Sequence, residues 1–393
     1  MRRIAARYLF PLTSPEPIHC GFVELTDEGT VIRTGKVEDP SVEEVFYEGA
    51  LVPGFVNAHC HSELSYMKGQ FRKGSGMAGF IDQINELRDN KSYEEKVSDL
   101  KAAIDGMWEQ GVVAMADISN CADSFPIKAV HPMYTRTFLE VFGTEKEDCP
   151  AVMASVTALK KKAEEYGLDA APTPHACYTM SPELLRAASV AGLESGFLSY
   201  HSEESPEEDE MIRSGSGPMW ENRRRAGMSV PPVGASSSLS YFFSQLQKCV
   251  PLPVEGNLLL VHECCMSAEG AREAKAKAKR LFVCLCPKSN LFIHNLLPPV
   301  KMMMEEGLKL CIGTDSLSSN DELNMVRELF CLQSRFPDIP LGELLTWACR
   351  NGAQFLAKDK VFGTFEPGKT PGVVFIDNIV DGRLTAKSSS RRL

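Results

Sequence analysis

Ala50-Leu51-Val52-Pro53-Gly54-Phe55-Val56-Asn57-Ala58-His59-Cys60-His61 is an apolar run that ends in a His-x-His pair. On a strand, side chains two positions apart leave the same face. His59 and His61 can therefore point together into a barrel mouth or a sheet crevice and share one cation. The spacing alone is weak evidence, because such pairs also arise by chance and on solvated loops. Its surroundings decide the reading.

Seven further apolar runs follow: 112–117, 136–142, 168–175, 197–201, 257–262, 281–286 and 308–315. Helical patterns separate most of them. From Ser92 to Gln110, Val97, Leu100, Ile104 and Met107-Trp108 recur at helical spacing until Gly111 stops the pattern. Ser181-Pro182-Glu183 opens another helix with a capping residue and a proline in the first turn. Strand–helix alternation repeated eight times over about 300 residues predicts an α/β chain folded as a (β/α)8 TIM barrel, with a doubly wound sheet as the lesser option.

The two ends read differently. Residues 1–52 hold short β-type pieces with turn signals such as Asp27-Glu28-Gly29, and residues 362–393 carry Glu366-Pro367-Gly368-Lys369 before Val373-Val374-Phe375-Ile376. These ends are expected to pair as a small β-sandwich beside a barrel spanning 53–361. The stretch from Glu207 to Ser238, rich in Glu, Gly, Pro, Ser and Arg, reads as a long loop after the fifth strand, placed to cover a substrate.

Composition narrows the function classes. A net charge of −10, with no long basic patch, argues against a nucleic-acid groove or an anionic membrane surface. The N-terminal apolar stretch is too broken for a signal h-region, and no run reaches the roughly 18 residues of a spanning helix. Thirteen cysteines without a regular framework read as packing residues of a reduced, cytoplasmic protein. The expected partner is a small molecule, and a homodimer is left open.

Of the eight histidines, His59, His61, His175, His201 and His262 fall at the carboxyl ends of expected strands, as does Asp315. In a barrel those ends converge on one mouth. A lone His at a strand end is more often a hydrogen-bonded core group than a ligand. Five of eight at one topological place is hard to obtain that way. Other metal and phosphate patterns fail. His61-Ser62-Glu63 has no later Pro-Cys-x-x-Cys, Cys264-Cys265 and Cys284-x-Cys286 lack zinc-ribbon spacing, and Gly215-Ser216-Gly217 lacks a following Lys-Ser/Thr.

The segments 52–61, His201-Ser202-Glu203-Glu204, Val261-His262 and Gly313-Thr314-Asp315-Ser316 resemble the metal motifs of the amidohydrolase superfamily. They are most similar to its mononuclear aminohydrolase branch, which includes guanine, S-adenosylhomocysteine and aminodeoxyfutalosine deaminases and the triazine chlorohydrolases. The strand-four segment Pro174 to Leu184 and Cys286-Pro287-Lys288-Ser289-Asn290 are similar to that branch as well.

The resemblance implies that His59, His61, His201 and Asp315 hold one divalent metal ion, zinc first and iron also compatible. A dinuclear site in the superfamily usually needs a carboxylated Lys late in strand four, and the expected strand four contains none. By the same resemblance Glu204, Asp315 and His262 are catalytic. Glu204 protonates a ring nitrogen, Asp315 serves as base, and His262 stabilises the new oxygen. A Glu204 pKa near neutrality would suit that task, and its neighbours Glu203, Glu207, Glu208 and Glu210 read as solvated loop charges. His175, Ser316 and Phe80 are the expected substrate contacts, Phe80 standing where the branch commonly has Trp. His19, His131 and His294 match no motif.

The implied activity is metal-dependent hydrolytic deamination of an amino-substituted heterocycle, a purine base or adenosine-type nucleoside. A cyclic amide hydrolase or chlorohydrolase on the same scaffold, and a non-catalytic metal-dependent binding protein, are the alternatives.

Overall fold

The computed structural model describes residues 1–43, 45–88 and 90–393. The quoted apolar run crosses from one structural unit to the next. Strand β4 (Phe46–Pro53) belongs to a sheet made by the chain ends, and β5 (Phe55–Cys60) begins the barrel one residue later. Gly54 is the joint. Its N–H donates to the Pro371 carbonyl at 3.0 Å, and a Cβ there would stand 2.2 Å from Val113 Cγ1. Only glycine fits so close an approach.

The end sheet has β1 (Arg2–Leu9), β2 (Ile18–Leu25), β3 (Val31–Lys36), β4, β13 (Val373–Ile376) and β14 (Ser390–Arg392), in the order β14-β13-β4-β1-β2-β3. Only β1 and β4 pair in parallel. Alternation sorts its side chains by face. Ile4, Leu9, Val23, Leu51 and Val373 form a core of their own, whereas Tyr8, Ala50, Val52, Val374 and Ile376 join the main core. The two ends, expected to pair as a small β-sandwich, form one six-stranded mixed sheet, and part of it packs into the main core.

The barrel strands after β5 are β6 (Val112–Ser119), β7 (Tyr134–Val141), β8 (Asp169–Pro174), β9 (Phe197–Ser202), β10 (Val254–His262), β11 (Ala278–Leu285) and β12 (Lys309–Ile312). They hydrogen-bond as two parallel quartets, β5 to β8 and β9 to β12. Two thin seams close the ring. At one, His201 N donates to His175 O at 3.0 Å, and the Thr173 hydroxyl donates to Ser199 O and accepts from Ser199 N. At the other, Cys60 and Asp315 form a single parallel bridge. All eight barrel strands expected from the apolar runs are present, and the fold is the expected TIM barrel.

Local chemistry sets the helices between them. Helix Tyr93–Glu109 starts with a capping box, in which Ser92 accepts from Glu95 N and the Glu95 side chain accepts from Ser92 N. Helix Pro182–Glu194 starts at Ser181, whose hydroxyl accepts from Leu184 N at 3.3 Å.

The long loop expected from Glu207 to Ser238 is a correction. Helices Pro206–Ser214 and Pro218–Arg225 occupy its first half. The Ser205 hydroxyl caps the first, Pro206 pre-sets its opening φ, and Gly215 ends it in a left-handed turn. Polar composition hid the periodicity: Met211 and Ile212 are buried, and so are Glu208 and Asp209. Among the described residues, no helix is long and apolar enough to cross a membrane.

Candidate active site

The strand ends bring the imidazoles together. His61 Nε2 lies 3.3 Å from His201 Nε2, and Asp315 Oδ1 is 3.7 Å from His61 Nε2 and 3.9 Å from His59 Nε2. Ligand atoms about 2.0–2.2 Å from one cation stand roughly 3.3–4 Å apart, so these spacings suit a shared ion. Three overlapping sets could hold one: His59, His61 and Asp315; His59, His201 and His262; His61, Glu140 and His201.

The protonation states fit as well. Burial, reinforced by neighbouring imidazoles, pushes His59 and His201 far below the ordinary imidazole range. Burial also lowers His61, against the pull of Asp315. Neutral imidazole is the form that binds metal. Both ring nitrogens of His59 are buried and have no hydrogen-bond partner among the described residues, which would cost about 1–3 kcal/mol each if nothing else engaged them. Three neutral nitrogens and one carboxylate are the donor set of a borderline divalent cation.

Each donor is held from behind. His201 Nδ1 is 3.3 Å from His175 O, which fixes the ring so that Nε2 faces the cluster. Asp315 Oδ2 accepts from the Ser289 hydroxyl at 2.5 Å and the Ser319 hydroxyl at 2.9 Å, leaving Oδ1 for the histidines. The backbone contributes strain: His262 has φ +78° and Asp315 φ +55°. Non-glycine residues in that region cost of order 1–3 kcal/mol each, and such outliers concentrate at functional sites.

Behind the His-x-His pair lies a buried ion pair that sequence reading missed. Lys128 Nζ is 2.5 Å from Asp117 Oδ2, with both side chains out of solvent. Asp117 also accepts from Ser62 N at 2.9 Å and Ser62 Oγ at 2.7 Å, anchoring the residue directly after His61.

Glu204 sits on the far side of the cluster. Its Oε1 is 3.6 Å from His262 Nε2 and 3.9 Å from His294 Nε2, and its Oε2 accepts from Tyr178 OH at 3.3 Å. Burial alone would raise its pKa, but His262 and His294 outweigh burial and bring it down to about 2. The resting group is thus a carboxylate, not the near-neutral acid expected from sequence. Asn290 Nδ2 lies 3.0 Å from His262 Nδ1, so the amide donates there and His262 Nε2 carries the proton that faces Glu204.

The acidic run around Glu204 is also a correction. Glu203 and Glu208 are buried, and Glu208 accepts from the backbone N–H groups of Glu203 and Glu204 at 3.1 and 2.9 Å. Glu207 accepts from Ala78 N at 2.9 Å, and only Glu210 faces solvent.

Of the expected substrate contacts, half-buried His175 lies beside the metal cluster. Its ring centroid is 4.6 Å from that of His201, and its Nδ1 is 2.7 Å from Thr179 Oγ1. Phe80 packs 5.2 Å from the Phe71 ring in the hydrophobic cluster of Tyr66, Met67 and Phe71. Ser316 is buried, its hydroxyl engaged with those of Ser318 and Ser319. Glu140 was missed altogether. Its Oε1 is 3.5 Å from His201 Nδ1, and burial raises its pKa to about 8. A carboxylate following the apolar pair Phe138-Leu139 near the end of a buried strand was the available signal.

Known proteins are similar to this chain along most of its length. The model of the amidohydrolase family matches residues 50–388. An adenosine deaminase of Helicobacter pylori is 28% identical over 81% of this chain and 77% of its own length. A 5-methylthioadenosine/S-adenosylhomocysteine deaminase of Moorella thermoacetica is 26% identical over 83% and 73%. The crystal structure of Helicobacter pylori aminofutalosine deaminase in complex with methylthio-coformycin superposes with a TM-score of 0.76 at 24% identity, covering 98% of this chain and 94% of that one. At that identity the superposition speaks for the fold.

Proposed function

The chain belongs to the amidohydrolase family, and from that premise we propose that it is a metal-dependent hydrolytic deaminase whose substrate is an adenosine-type nucleoside. One observation carries the reading. Two imidazoles and a carboxylate that could hold an ion, those of His59, His61 and Asp315 with His201 beside them, share their mouth with an acid–base pair, Glu204 and His262 at 3.6 Å. A purely structural metal site requires no such pair. The relatives described above act on adenosine and its thioether analogues, which is the reason for choosing that class.

His59, His61, His201 and Asp315 would hold the ion, and zinc suits this donor set best. When bound, such an ion supplies Lewis acidity and brings the pKa of a water down to about 7. The chain's own groups do the rest. Asp315, its Oδ2 fixed by two serine hydroxyls, accepts a proton from the attacking water through Oδ1. Glu204, a carboxylate at rest, takes the other proton of that water and passes it to the ring nitrogen next to the carbon under attack, so that no localised negative charge builds on the ring. His262 Nε2–H donates to the oxygen that becomes the product carbonyl. The C–N bond then breaks, and the amine leaves as ammonia with the proton Asp315 returns.

The test is ammonia release from the metal-loaded protein. Adenosine, methylthioadenosine and S-adenosylhomocysteine are compared with guanine, a chlorotriazine and a cyclic amide. Turnover of the adenosine group with inosine-type products is expected. Chloride release or ring opening without ammonia would overturn the reading.

A further inference from the structure

One short helix, Pro287–His294, reaches each group that moves a proton in this pocket. Ser289 Oγ donates to Asp315 Oδ2 at 2.5 Å, and Asn290 Nδ2 lies 3.0 Å from His262 Nδ1. His294, four residues after Asn290 and so on the same helix face, ends the helix with its Nε2 3.9 Å from Glu204 Oε1. Its side chain is only 5% exposed, and among the described residues Nε2 has no hydrogen-bond partner. An unpartnered buried ring nitrogen is costly, and Glu204 is the acidic group it faces.

We propose that His294 is the positioning residue of Glu204, holding its carboxyl between two imidazoles as Asn290 holds His262 and Ser289 holds Asp315. This rests on the reading of Glu204 as the group that carries the ring proton. Glu204 hangs from a backbone in unusual geometry, with Glu203 at φ +46°. Its backbone is fixed by Glu208, and among the described residues its carboxyl end accepts from Tyr178 OH and has the imidazoles of His262 and His294 within 4 Å. Without His294, Oε1 swings toward His262 and away from the substrate ring. Misplacement of about 1 Å is enough to cost a reaction about 100-fold.

The experiment has two arms on the zinc-loaded enzyme. In the kinetic arm, His294→Phe lowers kcat about 10- to 100-fold with KM within about twofold, and His294→Gln, which restores an N–H donor, recovers most of the loss. An unchanged kcat, or a loss confined to KM, overturns the proposal. The second arm needs no turnover, so it decides the matter even if the substrate class above is wrong or His294→Phe does not fold. Histidine ring 15N signals are recorded for the parent and for Glu204→Gln. A shift of the His294 signals, identified by their disappearance in His294→Gln, supports the contact. Signals that stay put overturn it.

Discussion

The backbone carbonyl of His59 accepts the N–H of Asp315 at 3.1 Å, and that of Thr314 at the same distance. Two proposed metal donors from opposite ends of the barrel sequence are thus tied by main chain. A bound ion would add a second tie at the same seam. Stripping the protein with a chelator is expected to lower its stability, by about 4 kcal/mol if free metal had stood at a thousand times Kd. Hydrogen exchange should rise first in β5 and β12. Equal melting temperatures with and without metal would show that no ion binds here.

Gly313→Ala probes the same seam by steric means. A Cβ at this position would lie 2.8 Å from the His59 carbonyl oxygen and 2.9 Å from His59 Cβ. Both contacts are closer than real Cβ atoms come, so β5 and β12 must part. Metal affinity, read by competition with a chromogenic chelator, should fall at least 10-fold, the scale seen when groups supporting metal ligands are disturbed.

Glu204→Gln keeps the size of the side chain and removes its ability to carry a proton. Turnover should fall by about 10²- to 10⁴-fold, while metal content by elemental analysis stays at the parent value. Full activity in this variant would remove Glu204 from the chemistry.

Lys128→Met leaves Asp117 as a buried, uncompensated charge, which is expected to cost about 3–5 kcal/mol in denaturant unfolding. Combining it with Asp117→Asn should restore part of that loss, because the charge goes with its partner. Additive losses in the double variant would show that the pair is not coupled.

Glu328 gives a pH signature. It is fully buried, accepting from Lys288 N at 3.0 Å and from Asn320 Nδ2 at 2.7 Å, and burial raises its pKa from 4.5 to about 8. A folded value above the unfolded one means that the fold prefers the neutral acid. The stability it carries is whole below about 4.5 and is lost as pH climbs through about 8. Glu328→Gln should flatten the fall in unfolding free energy across that window. An identical slope in parent and variant would assign the fall to other groups.

Much of this architecture was legible in the chain. Long apolar runs with helical patterns between them mark buried parallel strands whatever their loops do, and the clustering of histidines at run ends carried the mouth. Polar residues that turn inward were not legible. Glu203 and Glu208 sit in a run whose composition says solvent, and their burial comes with helix Pro206–Ser214 packing against helix Ser238–Leu246. His294 closes a helix rather than a strand, so nothing local marks it, and its place beside Glu204 arises only when the ring is complete. The pKa of Glu204 escaped for the same reason, since the two imidazoles that lower it come from β10 and from that helix.

The division of the ring into two quartets has a consequence for the life of the molecule. His59 and His61 come with the first quartet, while His201 and Asp315 come with the second. A nascent polypeptide with only the first quartet out of the ribosome carries half of the proposed ligand set and no complete reaction centre. Competence for chemistry is therefore a late event of assembly, and immature chains neither compete for scarce metal nor consume nucleosides on the way.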